Sequence, residues 1–186
     1  YGLDGAPSAY PDKTGALWNE LSIGVFLDTL IKEAVRKGYR GEVSAAFAPG
    51  FLANTGLGYT NYSVMTGSFV SYIPVYSKSR DNGLNLFGLY LADRVAANYA
   101  LGDALPQRVQ YPIALGTMMR GIEKNAYGTV FTAVNNFEVR IAGPELFLKK
   151  LYPRFHVFLD IGAYAGNYLN TSYPGSGFLA SAGFEL

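Results

Sequence analysis

Alternation of apolar and polar side chains with a period of two recurs through this 186-residue chain, and no other feature restricts its fold as tightly. Successive side chains of a strand point to opposite faces, so such a pattern sets one face against an apolar medium and the other against a polar one. The alternation is cleanest in three segments near the C-terminus. Over Val130–Ile141, Phe131, Ala133, Phe137, Val139 and Ile141 share a face, and Thr132, Asn136, Glu138 and Arg140 share the other. Over His156–Ala165, Val157, Leu159, Ile161 and Ala163 oppose His156, Asp160 and Tyr164. Over Phe178–Leu186, Phe178, Ala180, Ala182, Phe184 and Leu186 oppose Ser181, Gly183 and Glu185.

Four earlier segments read the same way. Leu21–Thr29 sets Leu21, Ile23, Val25 and Leu27 against Ser22, Gly24, Phe26 and Asp28. Tyr39–Phe47 sets Val43, Ala45 and Phe47 against Glu42, Ser44 and Ala46. Tyr59–Tyr76 is a long strand whose even positions, Tyr62, Val64, Val70 and Tyr72, are the more apolar. In Leu84–Leu101, Phe87, Leu89, Leu91, Val95, Ala97 and Tyr99 are in phase, and Asp93 breaks the phase, as a β-bulge or a functional exception would. Between these segments, Ile31–Lys37 reads as a turn or a single helical turn, and Lys78–Gly83 as a tight turn. Residues 1–17, rich in Gly, Pro, Ser, Ala and Asp, read as loop. Gly102–Gly128 is a long loop of a kind that is usually functional or disordered.

Seven strand segments and no long helix predict an all-β, antiparallel fold. Ile31–Gly38, Lys78–Gly83 and Gly143–Pro153 are short connections, whereas Gly102–Gly128 and Asn167–Gly177 are longer. Transmembrane β-barrels have this asymmetry, and several segments reach the roughly 9–11 residues that a tilted crossing needs. Aromatic residues near strand ends (Trp18, Tyr39, Tyr59, Tyr76, Tyr99, Tyr152 and Phe155) fit an interfacial girdle. A soluble up-and-down barrel or sandwich shares the alternation. Composition favours lipid: charged residues are only 16%, against roughly 25% in ordinary soluble domains, while 15% are aromatic. The best apolar run, Leu84–Leu101, is interrupted by Asp93 and Arg94, so no spanning helix is expected. The chain starts without Met and without a basic, apolar leader, which suggests a mature or internal piece of a longer protein.

Several chemistries lack their residues in this sequence. A net charge of +1 gives nucleic-acid binding no electrostatic support. The absence of Cys excludes disulfides and thiolate chemistry, and a single His, His156, cannot form a His cluster. Gly56-Leu57-Gly58 lacks the rest of a phosphate-loop fingerprint. No cofactor and no metal are expected. Glu123-Lys124 reads as a solvated pair, and His156 as an interfacial or interior residue.

Three ionisable residues stand out. Arg120 lies in the long loop, Glu138 on the polar face of the next strand, and Asp160 on the polar face of the strand after. Two interior carboxylates need a partner, and a loop folded inward could supply the guanidinium, whose planar fork can hold both. Three unrelated solvated charges would read the same by spacing alone.

The segments I-A-L-G-T-M-M-R-G-I-E-K-N-A-Y-G-T, F-T-A-V-N-N-F-E-V-R-I and H-V-F-L-D-I-G-A-Y-A-G resemble the C-terminal barrel of the BamA/TamA-type outer-membrane assembly superfamily, the bacterial surface antigen barrels. That family carries a V-R-G-F/Y motif on a loop that folds back into the lumen. Met119-Arg120-Gly121-Ile122 resembles it, with Met for Val and Ile for the aromatic. Phe158-Leu159-Asp160-Ile161-Gly162 matches the family's F-x-D-x-G strand, and Asn136 to Arg140 its preceding one. The resemblance extends weakly over residues 20–186 and is most specific over 116–162.

The resemblance implies a transmembrane β-barrel segment over residues 18–186, about seven or eight strands of a larger barrel of about sixteen. It implies that Arg120 pairs with Asp160 and Glu138, with Gly121 and Gly162 completing the motif. It further implies a non-enzymatic role in the bacterial outer membrane, assisting nascent outer-membrane proteins to insert among outer-membrane lipids, with accessory lipoproteins as further partners. A secretion transporter, or the membrane anchor of a surface or lipase-fused protein, would share the motif. A soluble ligand-binding barrel is a third reading, from a different class.

Overall fold

The computed structural model describes residues 20–31, 35–49, 62–79, 85–102, 107–124, 126–144, 153–169 and 174–186. Seven strands form one sheet: β1 (Leu21–Asp28), β2 (Gly38–Ala48), β3 (Tyr62–Ser79), β4 (Asn85–Gly102), β5 (Thr129–Ala142), β6 (Arg154–Tyr168) and β7 (Pro174–Glu185). Their spatial order is their sequence order, and every neighbouring pair is antiparallel. The fold is therefore all-β, as the alternation predicts. The predicted loop over residues 1–17, and Trp18, Tyr59 and Tyr152 of the predicted girdle, lie outside the described residues.

Register fixes which side chains share a face. One rung runs Arg40–Val70–Arg94–Asn136–Asp160–Ser181 across six strands. The next rung on this face runs Tyr72–Ala92–Glu138–Phe158–Gly183. This is the face that the segment after β4 covers. The opposite face exposes large apolar side chains throughout, among them Ile23, Val43, Phe69, Val95, Phe137, Leu159 and Phe184. A sheet of such composition on its uncovered side is unlike the polar outer face of an ordinary soluble sheet.

The covered face holds three apolar clusters. Near one end, Ile113 packs with Ala48, Tyr62, Val64 and Ala100. In the middle, Leu115, Met118 and Met119 pack on Ala96 and Val134. At the far end Val35, from the β1–β2 connection, packs on Tyr90 and Ala142. The even positions of β3 are apolar because Tyr62 and Val64 lie beneath this covering segment, while Met65, Phe69 and Ile73 make its other face apolar too.

Between β6 and β7 the covered face is built from large residues set against small ones. Tyr164 is opposite Gly177, Leu179 opposite Gly162, and Phe158 opposite Gly183. A Cβ on Gly177 would stand 2.8 Å from the Tyr164 hydroxyl, and one on Gly183 would stand 2.7 Å from the Phe158 ring. The aromatic rings of β6 thus lie across the glycines of β7.

Two expectations change. The long connection predicted at Asn167–Gly177 is strand at both of its ends: β6 runs to Tyr168 and β7 starts at Pro174, because Tyr164 and Tyr168 pair their rings with glycines that looked like loop residues. No bulge occurs at Asp93, which keeps regular register with Ser71 and Phe137. Its phase break is a hydrogen bond on the apolar face, accepted from Asn135 Nδ2 at 2.6 Å. The irregularities fall instead in β3, between Pro74 and Tyr76 and at Lys78–Ser79. Pro74 has no N–H to give the ladder, and the slip there turns Tyr76 outward against Phe87, ring centroids 6.0 Å apart. Ile31 and Lys37, which bound the segment read as a turn or a single helical turn, form an antiparallel bridge, and residues 32–34 between them lie outside the described residues.

Candidate functional site

The segment between β4 and β5 is not a featureless loop. It contains two short helices, α1 (Gln107–Ile113) and α2 (Leu115–Met118), which lie on the sheet. Its return limb holds the outgoing one: Gly116 N–H donates to Ala126 O at 3.0 Å, and Leu115 N–H to Tyr127 O at 3.4 Å. A Cβ on Gly116 would overlap the Glu123 carbonyl, so only glycine permits this doubling.

Polar side chains of the sheet bind the segment from below. Thr132 Oγ1 donates to Ile113 O at 2.6 Å, and Asn136 Nδ2 to Met118 O at 3.1 Å. Asn98 Nδ2 reaches Met118 Sδ at 3.2 Å. These residues share one phase of β4 and β5, which explains why those strands are polar on the face they bury. Burial of such groups is tolerated only when their hydrogen bonds are made, and here the segment's backbone supplies partners.

After α2 the chain extends through Met119 and delivers Arg120 to the sheet. Arg120 donates from Nε to Asp160 Oδ2 at 3.0 Å, from Nη2 to Asp160 Oδ1 at 2.6 Å, and from Nη1 to Glu138 Oε1 at 2.6 Å. Its backbone N–H also donates to Asp160 Oδ2, at 2.9 Å. The guanidinium lies over the Phe158 ring, 3.8 Å from its centroid. Glu138 uses its second oxygen to pair with Arg140. Two guanidiniums therefore meet two carboxylates, and the cluster is internally neutral. The hydrogen bond to Asp160 holds the Arg120 guanidinium above its ordinary pKa, against the lowering effect of burial. The Asp160 side chain is fully buried, Glu138 is 10% exposed and Arg120 26%.

The two glycines of the predicted motif act differently. Gly121 has φ +76, a left-handed conformation that lets the chain turn immediately after Arg120. Gly162 sits under α2: a Cβ there would collide with Met119 Sδ and stand 2.8 Å from Leu115 Cδ1. Gly162 thus sets how closely the segment approaches the sheet.

The structure brings Arg120, Gly121, Glu138, Asp160 and Gly162 into one place. Sequence reasoning missed Arg140, Asn136 and Phe158 as members of the cluster. Arg140 and Phe158 had a signal: each lies two residues from a predicted acid on the same strand face. Asn136 faces Asp160 across the β5–β6 ladder, which only the register reveals. Asp93 and Arg94 part to opposite faces, and Glu123 and Lys124 are exposed. His156 lies on the covered face with Nδ1 3.6 Å from Glu185. Among the described residues no group of His, Cys, Asp and Glu is placed to hold a metal ion, and no helix is long and apolar enough to cross a membrane. The latter says nothing of crossing by strands. Searches against protein-family models, curated proteins and solved structures each find no match to this chain.

Proposed function

We propose that this chain is a segment of an outer-membrane β-barrel of the BamA/TamA-type assembly class, which helps nascent outer-membrane proteins insert and fold. The observation that carries the reading is the Arg120 fork: a loop guanidinium held by Asp160 and Glu138 on two adjacent strands, as the motif resemblance implies. The continuous apolar face opposite that cluster supports it, since such a face suits hydrocarbon better than water. In this reading the covered face is the lumen, and the Arg120 cluster braces the inward loop against the wall.

The working element is a strand edge. Among the described residues β1 and β7 each pair on one side only, so each has an edge of backbone N–H and C=O groups left for another strand. In lipid such groups must be paired, and a nascent strand that pairs with them is templated. Further strands of a larger barrel would occupy these edges at rest and part at a seam to admit substrate.

The test is reconstitution into phospholipid vesicles. The protein should insert, resist unfolding on a semi-native gel until heated, and speed the folding of a urea-denatured outer-membrane protein added from outside. Insertion without acceleration would replace the assembly role by that of a secretion pore or membrane anchor. A detergent-free soluble monomer would overturn the membrane reading.

A further inference from the structure

A cavity of about 380 Å³ opens on the covered face beside the Arg120 cluster, with Tyr72, Arg94, Arg120, Glu138, Arg140 and Glu185 on its walls. The charges on those walls do not all cancel locally. Arg120 and Arg140 are matched by Asp160 and Glu138. Arg94 is not. Its hydrogen bond goes to a neutral acceptor, Asn136 Oδ1, at 3.2 Å, and among the described residues it has no carboxylate partner. Asp93, its neighbour in sequence, is turned to the opposite face and bonded to Asn135. Asp93 also lines the cavity although its carboxylate is bonded on the far face, and Glu185 belongs to β7, three strands from β4, 3.6 Å from His156 Nδ1.

Two further guanidiniums approach the Tyr72 wall. Arg36, from the β1–β2 connection, donates to the Tyr72 hydroxyl at 3.4 Å and lies 5.6 Å from the centre of its ring. Arg140 approaches the same ring at 5.5 Å. Ala92, between Tyr90 and Arg94 on this phase of β4, lines the cavity beside Arg94 with only a methyl group. A guanidinium has five N–H donors in a plane and suits bidentate capture of an oxyanion.

We propose that this cavity is a binding site for a small oxyanion of the phosphate or carboxylate class, with Arg94 as its principal ligand. The anion supplies the negative charge that the fold leaves out beside Arg94, and the Arg120 cluster forms one wall without surrendering its own partners. The site depends on the covered face alone and stands whether or not the sheet belongs to an assembly factor.

The experiment is titration calorimetry of the purified, detergent-solubilised protein at low ionic strength, with inorganic phosphate and acetate as separate probes. Phosphate, acetate or both should bind at one site. Arg94→Gln should weaken binding about 10- to 100-fold, the loss of charge-assisted hydrogen bonds. Arg94→Lys, which keeps the charge and loses the fork, should fall between the two. Arg40→Gln, which breaks an exposed pair with Glu42, should leave affinity unchanged. If Arg94→Gln fails to fold, phosphate should raise the melting temperature of the native protein more than that of Arg94→Lys. No binding of either anion by the native protein would overturn the proposal. So would equal affinity, or equal thermal protection, in the native protein and its Arg94 variants.

Discussion

Replacing Arg120 with Ala removes three charge-assisted hydrogen bonds and the contact over Phe158, but leaves the backbone N–H of residue 120 on Asp160. Glu138 keeps Arg140. Asp160 is the residue in difficulty, because its fully buried carboxylate loses its only cation among the described residues. Breaking a buried pair from one side costs about 3–5 kcal/mol. The Arg120 side chain is 26% exposed, so water partly screens the pair and the lower end applies, about 3 kcal/mol. At about 2–4 °C per kcal/mol for a chain of this size, the unfolding midpoint should fall by about 6–12 °C. Loss of the β-sheet circular dichroism signal on heating reads that midpoint. The double variant Arg120→Met with Asp160→Asn removes both charges and keeps an acceptor for the backbone N–H. It should recover more than half of the loss relative to Arg120→Met alone, since an amide needs no counter-charge. A midpoint for Arg120→Ala within about 1 °C of the native protein, or no recovery in the double variant, would refute the argument that a stranded buried carboxylate is what Arg120 prevents.

Gly162→Ala should cost about 1–3 kcal/mol by forcing Met119 and Leu115 off the sheet, and protease cleavage within 113–124 should become faster. Gly121→Ala meets nothing closer than Ser181 Cβ at 3.9 Å, so its penalty is conformational alone, about 1–2 kcal/mol from the positive φ, with the proteolysis pattern unchanged. If the apolar face lies in lipid as proposed, Asp93→Leu should destabilise the protein in vesicles by about 1–3 kcal/mol because it strands the Asn135 amide, whereas Asp93→Leu with Asn135→Leu should be neutral or stabilising in the same melting assay.

Strand positions were legible because a half-apolar strand writes its pleat into the sequence. β5 spans Thr129–Ala142 where the alternation marks Val130–Ile141, and its two faces divide as the residues do. Glu138 and Asp160 were legible as residues of a polar strand phase, but spacing alone did not separate a cluster from three solvated charges, and the pairing with Arg120 came from the motif resemblance. The helices α1 and α2 were not, since seven and four residues are too few to establish a helical period. The start of β7 was hidden for another reason. Pro174, Gly175 and Gly177 are loop residues by propensity, and they are strand here because neighbouring tyrosines fill the space that their side chains do not. Asp93-Arg94 read as either an interior contact or a bulge, and the choice between them needed the residue that faces Arg94 across β5, a matter of register that no single segment encodes.

The large-against-small matching of β6 and β7 also discriminates between alignments. Sliding β7 by two residues one way would bring Tyr164 against Leu179 and Phe158 against Glu185, and bulk would meet bulk. Sliding it the other way would set Gly162 against Gly177, opening a hole under Met119, and would press the Asp160 carboxylate against Leu179. Hydrogen-bond ladders alone accept any even offset; here side-chain volume acts as the key that admits a single one.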